Sequence, residues 1–388
     1  MHIAINTRFA WYGYQEGYGR FTREVCSRLP ALSPEDAFLY LDDRPHAGRL
    51  SDAPNLRQRS FGPPARHPLL WKLWYDLRLP AVLRRERAEV LFSPDGICSL
   101  HTSVPQVVAI HDLAFLRDPS YLPASQYSFY KWYTPRFIRA ARKVVTVSDC
   151  SRDDIHRHYP FAVGKVEVVP NAADPAFRPM GWEERSAFRA DLTEGREYFL
   201  CVGSVHPRKN LVNLLRAFSV FKRRQRSNML LLVAGRMAWR NGEFERMLST
   251  FRYRHDVRML GYVPQERMAG LMASAWALVF PSLWEGFGIP VLEAMQSGVP
   301  VICSGNSSLP EVASDAGLYF DPLQPEDMGR QLSLVYRDEA LRARMAARGL
   351  EIARGYSWDS SARRLLAILR EAARHPPNPY LWRNPNPR

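Results

Sequence analysis

Two glutamates, Glu285 and Glu293, bracket a glycine-spaced segment, PSLWEGFGIPVLEAM (281–295), and a basic pair, Arg208 and Lys209, stands earlier in SVHPRKNLVNLL. Adjacent cations at the start of an amphipathic helix oppose its dipole unless an anion lies between them and the helix amides. A diphosphate would satisfy all of these donors. Pro290 suits the first turn of a helix, which puts Glu293 one turn in and leaves Glu285 in the preceding loop. The two carboxylates therefore do not share a helical face, and they serve different parts of a ligand. Gly286 and Gly288 keep the loop amides bare enough to meet phosphate, while carboxylates accept hydrogen bonds from hydroxyls, in which sugars and ribose are rich. The bland alternative is a solvated basic pair, a solvated Glu285 and a Glu293 that only complements the helix dipole.

Two further positions carry weaker signals. Gly17 and Gly19, in TRFAWYGYQEGYGRFTREV, lie just before a helical pattern, where glycine lets backbone approach a ligand or simply turns the chain. His111, followed by Asp112, comes just after the apolar run VVAI; it could be a general acid or base, a neutral donor to a hydroxyl, or a histidine that holds its loop. No HExxH, GxxxxGK[ST] or Asp-x-Asp occurs, so metalloprotease and P-loop chemistry lack support, and no metal ligand set is expected.

These residues need a scaffold, and 388 residues exceed one ordinary core, which points to two domains. Short apolar runs, HIAIN, AFLYL, VLFSP, QVVAIHD and KVVTVS, alternate with helical patterns in the first half. A second series, YFLCVG, MLLLVAG, VRMLGYV, AWALVFPS, VPVICS and GLYFD, starts at Tyr198. This is the pattern of two α/β units with parallel sheets. VEVVPNAADPAFRPM, with its Pro, Asn and Asp turn chemistry, is the expected hinge. The domains are placed at 1–178 and 179–359. The helical pattern SWDSSARRLLAILREAARH has no strand after it and is expected to cross back, so that 360–388 packs on the first domain; Ser357 or Asp359 would cap it. Tyr380, Leu381 and Trp382 suggest that part of the proline-rich tail packs as well. Two doubly wound domains in tandem make a cleft where the carboxyl ends of the sheets face each other, so loops after strands matter most.

Composition narrows the class. With 46% hydrophobic and 24% charged residues and no run of 18 apolar residues, the chain reads as soluble and globular. MHIAINTRF reads as a strand rather than a signal peptide, so cytoplasmic residence is expected. The five cysteines show no metal or disulfide spacing. The net charge is +14, and only six of the 53 basic residues are lysine, which genomic bias alone can produce. Charge by itself does not choose among nucleic acid, anionic lipid and phosphorylated substrate. The segments LLWKLWYDLRLPAVLRRER and YSFYKWYTPRFIRAARK fit either packed amphipathic helices or a surface lying on anionic lipid.

Taken together, GYGRFTREV, HDLAFL, VTVSDCSRDDI, VEVVPNAAD, VGSVHPRKNLVNLLRAF, LGYVP and PSLWEGFGIPVLEAMQSGVPVICSGNSSLPEVASDAGLYFDP resemble glycosyltransferase family 4 over nearly the whole chain. The most specific element is the Glu-x7-Glu pattern, Glu285 to Glu293, behind the Arg-Lys pair. The resemblance implies the GT-B fold of two Rossmann-like domains and transfer with retention, without a required metal or cofactor. It assigns Arg208 and Lys209 to the donor diphosphate, Glu293 to the ribose and Glu285 to the donor sugar. The backbone of Phe287, Gly288 and Ile289 would meet phosphates and sugar, and Tyr262 and Val263 would lie by the base. Gly17 and Gly19 match a glycine loop that closes over the diphosphate, and His111 a histidine near the transferred sugar. Many members carry Gly-Arg where this chain has Gly203-Ser204, which removes one phosphate contact; Arg236, in VAGR, is a candidate replacement.

NTRFAWYGYQEGYGR, near the start of the sequence, and FGPPARHPLLWKLWYDLRLP look like a bacterial surface-polysaccharide subgroup. The implied partners are a nucleotide-sugar donor, with mannose from GDP-mannose as first guess and a UDP-sugar as alternative, and a glycan or lipid-linked acceptor. Peripheral contact with the inner face of a membrane is compatible with this, and nucleic acid is not expected. Developing charge on the leaving phosphate would be stabilised by Arg208, Lys209 and a helix N-terminus. Retention would follow from attack on the face the leaving group vacates, which the resemblance favours, or from double displacement. Rival readings are an epimerase or phosphorylase on the same fold and a noncatalytic basic binding protein.

Overall fold

A computed structural model describes residues 1–11, 17–46, 48–65, 67–237 and 242–374. The chain forms two compact units, the first comprising Met1–Asn171 with the chain from Trp358 onward, the second Ala172–Ser357.

Each unit is one parallel sheet. The first holds β1 (His2–Asn6), β2 (Ala37–Asp42), β3 (Leu56–Ser60), β4 (Val90–Ser93), β5 (Gln106–Ala109), β6 (Lys143–Thr146) and β7 (Val166–Val168), in the order β3-β2-β1-β4-β5-β6-β7. The second holds β8 (Tyr198–Val202), β9 (Leu230–Ala234), β10 (Val257–Gly261), β11 (Ala277–Phe280), β12 (Val301–Ser304) and β13 (Gly317–Phe320), in the order β10-β9-β8-β11-β12-β13. The central strands are buried on both faces, which is why they read as unbroken apolar runs rather than as an alternation. In each sheet the winding direction reverses once, between β1 and β4 and between β8 and β11. Ligands of open α/β sheets bind at such reversals.

Two strands escape the sequence pattern, and both are edges. β3, LRQRS, is mostly polar because only one of its edges is paired; β7 is the start of the segment expected to be the hinge. The division between units falls at Asn171 rather than 178. The reason is local: Gln296 Nε2 donates to the carbonyls of Asp174 and Phe177 (2.7 and 2.8 Å), Gln265 Nε2 donates to Asp174, and Phe177 is buried, which ties the segment to the second unit.

The helix Trp358–Arg374 belongs to the first unit. Its buried face, with Leu365, Leu366, Ile368 and Leu369, packs along the helix Gly17–Leu32, where Trp358 meets Phe21 edge-on at 6.2 Å. Asp359 lies inside the first turn and pairs with Arg28 at 2.7 Å instead of capping. Arg370 pairs with Asp36 at 2.9 Å, and Ser361 donates to the Pro170 carbonyl at 2.6 Å. Tyr380, Leu381 and Trp382 lie outside the described residues. Cys26, Cys98, Cys201 and Cys303 are buried thiols outside any disulfide, and burial pushes the Cys201 thiol up to about 12. Among the described residues no helix is long and apolar enough to cross a membrane.

Candidate active site

In the second unit the loops after β8 and β11 leave neighbouring strands at the reversal, so residues 76 positions apart meet. After β8 the chain makes a 3-10 turn, Pro207–Lys209, in which the His206 ring accepts from the Arg208 amide at 3.2 Å. Asn210 follows in the left-handed region (φ 58°), which asparagine tolerates, and the helix Leu211–Gln225 starts. Its side-chain amide donates to the carbonyls of Pro281 (3.1 Å) and Pro322 (2.7 Å), pinning the turn to the β11 and β13 loops.

The β11 loop answers with its backbone. Leu283 N donates to Arg208 O at 2.8 Å, and Arg208 Nη1 donates to Trp284 O at 2.6 Å. Glu285 is thereby held between both cations, with Arg208 Nη1 at 2.9 Å from Oε2 and Lys209 Nζ bonded to Oε1. Its own backbone is clamped by the β12 loop: Glu285 N donates to Ser307 Oγ (3.2 Å), Ser308 Oγ donates to Glu285 O (3.0 Å), and Asn306 Nδ2 donates to Leu283 O (3.1 Å).

The electrostatics follow from this packing. Burial would raise the Glu285 carboxyl, but the Arg208 and Lys209 charges and hydrogen bonds from Lys209 and Ser282 outweigh it and hold it at about 2. Burial, helped by Arg208, pulls the Lys209 ammonium below its ordinary value against the attraction of Glu285. Glu285 is thus an anion at neutral pH, unable to deliver a proton. One carboxylate against two cations leaves the cluster net positive, as an anionic ligand requires.

Gly203 has a structural duty beside any ligand role. It has φ 141°, and a Cβ there would stand 3.1 Å from Lys209 Cε, so a side chain would displace the lysine. Gly288 opens the helix Ile289–Gln296 at φ 97°, where a Cβ would meet Leu309 Cδ2 at 2.6 Å. Phe287, Ile289 and Glu293 are buried, Glu293 one turn into that helix. Tyr262 and Val263 follow β10, with Tyr262 exposed. Exposed Arg236 follows β9, its carbonyl accepting from Val205 N at 2.9 Å beside the Gly203-Ser204 step. Among the described residues no group of three or more His, Cys, Asp or Glu could hold a metal ion.

In the first unit, Gly17 and Gly19 sit inside the first turn of the helix Gly17–Leu32 rather than before it. Gly19 is needed for packing, since a Cβ would stand 3.0 Å from Phe9 O, whereas the space at Gly17 is open. His111 Nε2 lies 2.9 Å from the Pro94 carbonyl, and its ring meets Phe21 edge-on at 5.2 Å. A carbonyl only accepts, so Nε2 carries the hydrogen and Nδ1 of the neutral ring is an acceptor. Burial, the largest influence, keeps the imidazole below its ordinary value. The neutral-donor role is therefore already spent on Pro94.

Sequence reasoning missed a cluster at the reversal of the first sheet. Arg8, just past β1, pairs with Asp95, just past β4, at 2.6 Å. Tyr75 donates its hydroxyl to Asp95 (2.7 Å) and accepts from Asn6 Nδ2 (2.5 Å). The signal available was position: each of the two charges stands two residues beyond the strand that ends at the reversal.

Known proteins share this construction. The family description Glycosyltransferase Family 4 matches residues 16–177, and Glycosyl transferases group 1 matches residues 183–351. O-antigen chain mannosyltransferase B of Escherichia coli is 29% identical over 355 residues, 89% of this chain and 93% of its own. Among solved structures, WaaG, a glycosyltransferase involved in lipopolysaccharide biosynthesis, superposes with a TM-score of 0.73 at 19% identity, over 95% of this chain and 99% of its own. Anabaena HepE in complex with UDP-glucose gives 0.72 at 16% identity, over 96% and 100%. At such identities the structural likeness speaks for the fold, two Rossmann-like domains of the GT-B type. With both halves matched by family descriptions and the fold shared from end to end, the chain is a glycosyltransferase and belongs to family 4.

Proposed function

We propose that this enzyme transfers a mannosyl group from GDP-mannose, with retention and without a divalent cation, to a glycan or lipid-linked oligosaccharide acceptor at the inner face of a membrane, in cell-surface polysaccharide synthesis. The observation that carries the reading is the cluster of Arg208, Lys209 and Glu285 at the sheet reversal, net positive and partly exposed. Mannose and the surface glycan rest on the relative named an O-antigen chain mannosyltransferase, and a nucleotide-sugar donor on the neighbour bound to UDP-glucose.

In this reading Arg208 and Lys209 bind the diphosphate together with amides at the start of the helix Ile289–Gln296, and stabilise the charge that develops as the sugar–phosphate bond breaks. Phe287, Gly288 and Ile289 contribute those amides, Glu293 takes the ribose hydroxyls, and Tyr262 and Val263 flank the base. Arg236 supplies the contact that Ser204 lacks. Gly17 and Gly19 approach the diphosphate from the first unit, and His111 offers Nδ1 to a sugar hydroxyl. Glu285 positions the sugar. A carboxylate held at about 2 by two cations is a weak nucleophile, which supports attack on the face the leaving group vacates. The acceptor oxygen then bonds to the anomeric carbon as the carbon–oxygen bond to the diphosphate breaks, and a phosphate oxygen takes the acceptor's proton. No cofactor takes part.

A thermal-shift screen of GDP-, UDP-, ADP- and dTDP-sugars tests the donor, with stabilisation by GDP-mannose above the others expected. Transfer should be undiminished in EDTA. Strict dependence on a divalent cation, or stabilisation by no nucleotide-sugar at all, would overturn the reading.

A further inference from the structure

The first unit carries exposed apolar side chains where its exposed charges are all of one sign. The helix Pro68–Leu73 continues through a π turn, Trp74–Arg78, into the helix Leu79–Arg85. One side of this rod buries Trp71, Trp74 and Tyr75; the other presents Leu69, Leu73 and Leu77 at every fourth residue, Leu69 and Leu77 being 75% and 65% exposed. The helix Ala124–Ala140 lies against it, with Trp71 edge-on to Phe129 at 5.0 Å and Lys72 Nζ 4.7 Å over the Tyr133 ring. The outer face of that second helix presents Trp132, 64% exposed, with Arg136 and Arg139 one and two turns on. Arg136 stacks over Trp132 at 5.5 Å, and Arg139 lies 4.1 Å over exposed Phe161, with exposed Val163 just beyond.

Single exposed apolar residues need no explanation, but their concentration does. Among the described residues of this unit, every exposed large hydrophobic except Tyr18 is on these adjoining elements. Charge is as one-sided. Between 68 and 85 the only acid is Asp76, buried and paired with Lys72, and between 124 and 142 there is none, against Lys131, Arg136, Arg139 and Arg142 in the same stretch. Leucine and tryptophan ringed by long cationic side chains, with no acid among them, match a surface that is apolar below and anionic at its head groups.

We infer that this face, formed by residues 68–85, 124–142 and 160–163, docks the enzyme on an anionic lipid bilayer. Trp132 and the Leu69, Leu73, Leu77 stripe enter the head-group boundary, and Lys131, Arg136 and Arg139 pair with lipid phosphates. The inference shares with the proposed function the placing of the enzyme at a membrane face, so its test reads lipid binding with neither substrate present.

The experiment is co-sedimentation of the full chain with vesicles of phosphatidylcholine alone and of equimolar phosphatidylcholine and phosphatidylglycerol. The wild type should pellet with the anionic vesicles, less so as salt rises, and stay in solution with the neutral ones. The triple variant Lys131→Gln, Arg136→Gln, Arg139→Gln should lose on the order of a hundredfold in partitioning. The variant Leu69→Ser, Leu73→Ser, Leu77→Ser should lose roughly tenfold or more. Both should keep the wild-type melting profile, because the altered side chains are on the surface. Lys209→Ala, which disables the proposed donor site, should sediment like the wild type, so a failed transfer reading and a failed lipid reading look different. Equal binding to neutral vesicles, wild-type binding by either triple variant, or self-association in place of vesicle binding would each overturn the inference.

Discussion

At the reversal of each sheet the chain sets arginine against a carboxylate, and the two pairs are finished differently. In the first unit the side chains of Arg8 and Asp95 are each 1% exposed, Tyr75 donates a second hydrogen bond to the carboxylate, and the guanidinium lies 5.0 Å over the rings of both Trp74 and Tyr75. The charges are matched one to one and sealed. In the second unit one carboxylate faces two cations, of which Arg208 keeps 23% of its side chain exposed. The same topological position thus yields a lock in one unit and a net-positive, partly exposed cluster in the other. What separates them is stoichiometry and solvent access, not residue type.

The largest effect should come from breaking the lock. Asp95→Ala leaves Arg8 buried without its partner, which costs about 3–5 kcal/mol. The first unit should melt earlier by roughly 10 °C in a thermal unfolding scan, while nucleotide-sugar binding to the still folded protein stays near wild type. A melting profile like that of the wild type would show that the pair is not a lock. Lys209→Ala should do the reverse, lowering kcat by about a hundred- to a thousandfold with little change in melting temperature. Wild-type turnover in this variant would remove the diphosphate assignment.

The asymmetry also explains what the sequence made readable. Lys209 and Glu285 announce themselves because helix starts carry punctuation: glycines before one helix and Pro290 in its first turn, cations where a dipole would refuse them before another. The strands next to the reversals are largely apolar and were equally plain. Arg8 and Asp95 carry no such marks, since NTRF and SPDG look like ordinary polar exits from strands and stand 87 residues apart. Ser307 and Ser308 were hidden in the same way, SGNSS reading as a polar turn although it clamps Glu285 from both sides. Edge strand β3 went unseen because pairing on one side relaxes the demand for apolar residues.

A third prediction uses pH. The Glu285 carboxyl is held at about 2 in the fold against an ordinary 4.5, so its ion pairs contribute their full stability above 4.5 and lose it as pH falls through about 2. The second unit should therefore hold its melting temperature from pH 7 down to about pH 4.5 as far as Glu285 is concerned, then lose on the order of 3 kcal/mol in acid. Glu285→Gln should flatten that acid limb, and it should also lower stability at neutral pH, because it leaves Lys209 and Arg208 without their anion. Transfer should fall strongly in the same variant. An acid limb identical to that of the wild type would place the titrating group elsewhere.

The smallest effect should come from Glu293, which lies on the helix behind the cluster instead of within it. If it holds the ribose hydroxyls, it binds ground state and transition state alike. Glu293→Ala should then raise the donor KM by about ten- to a hundredfold, the range of a charged hydrogen bond, and leave kcat nearly unchanged. A donor analogue without the ribose hydroxyls separates this from a loosened helix. Wild type and variant should bind it with equal affinity, since it has no hydroxyl for the Glu293 carboxylate to accept from in either protein. A variant that binds the analogue more weakly than the wild type does would mean that Glu293 supports the helix Ile289–Gln296, and that the comparison between the two units concerns the cluster alone.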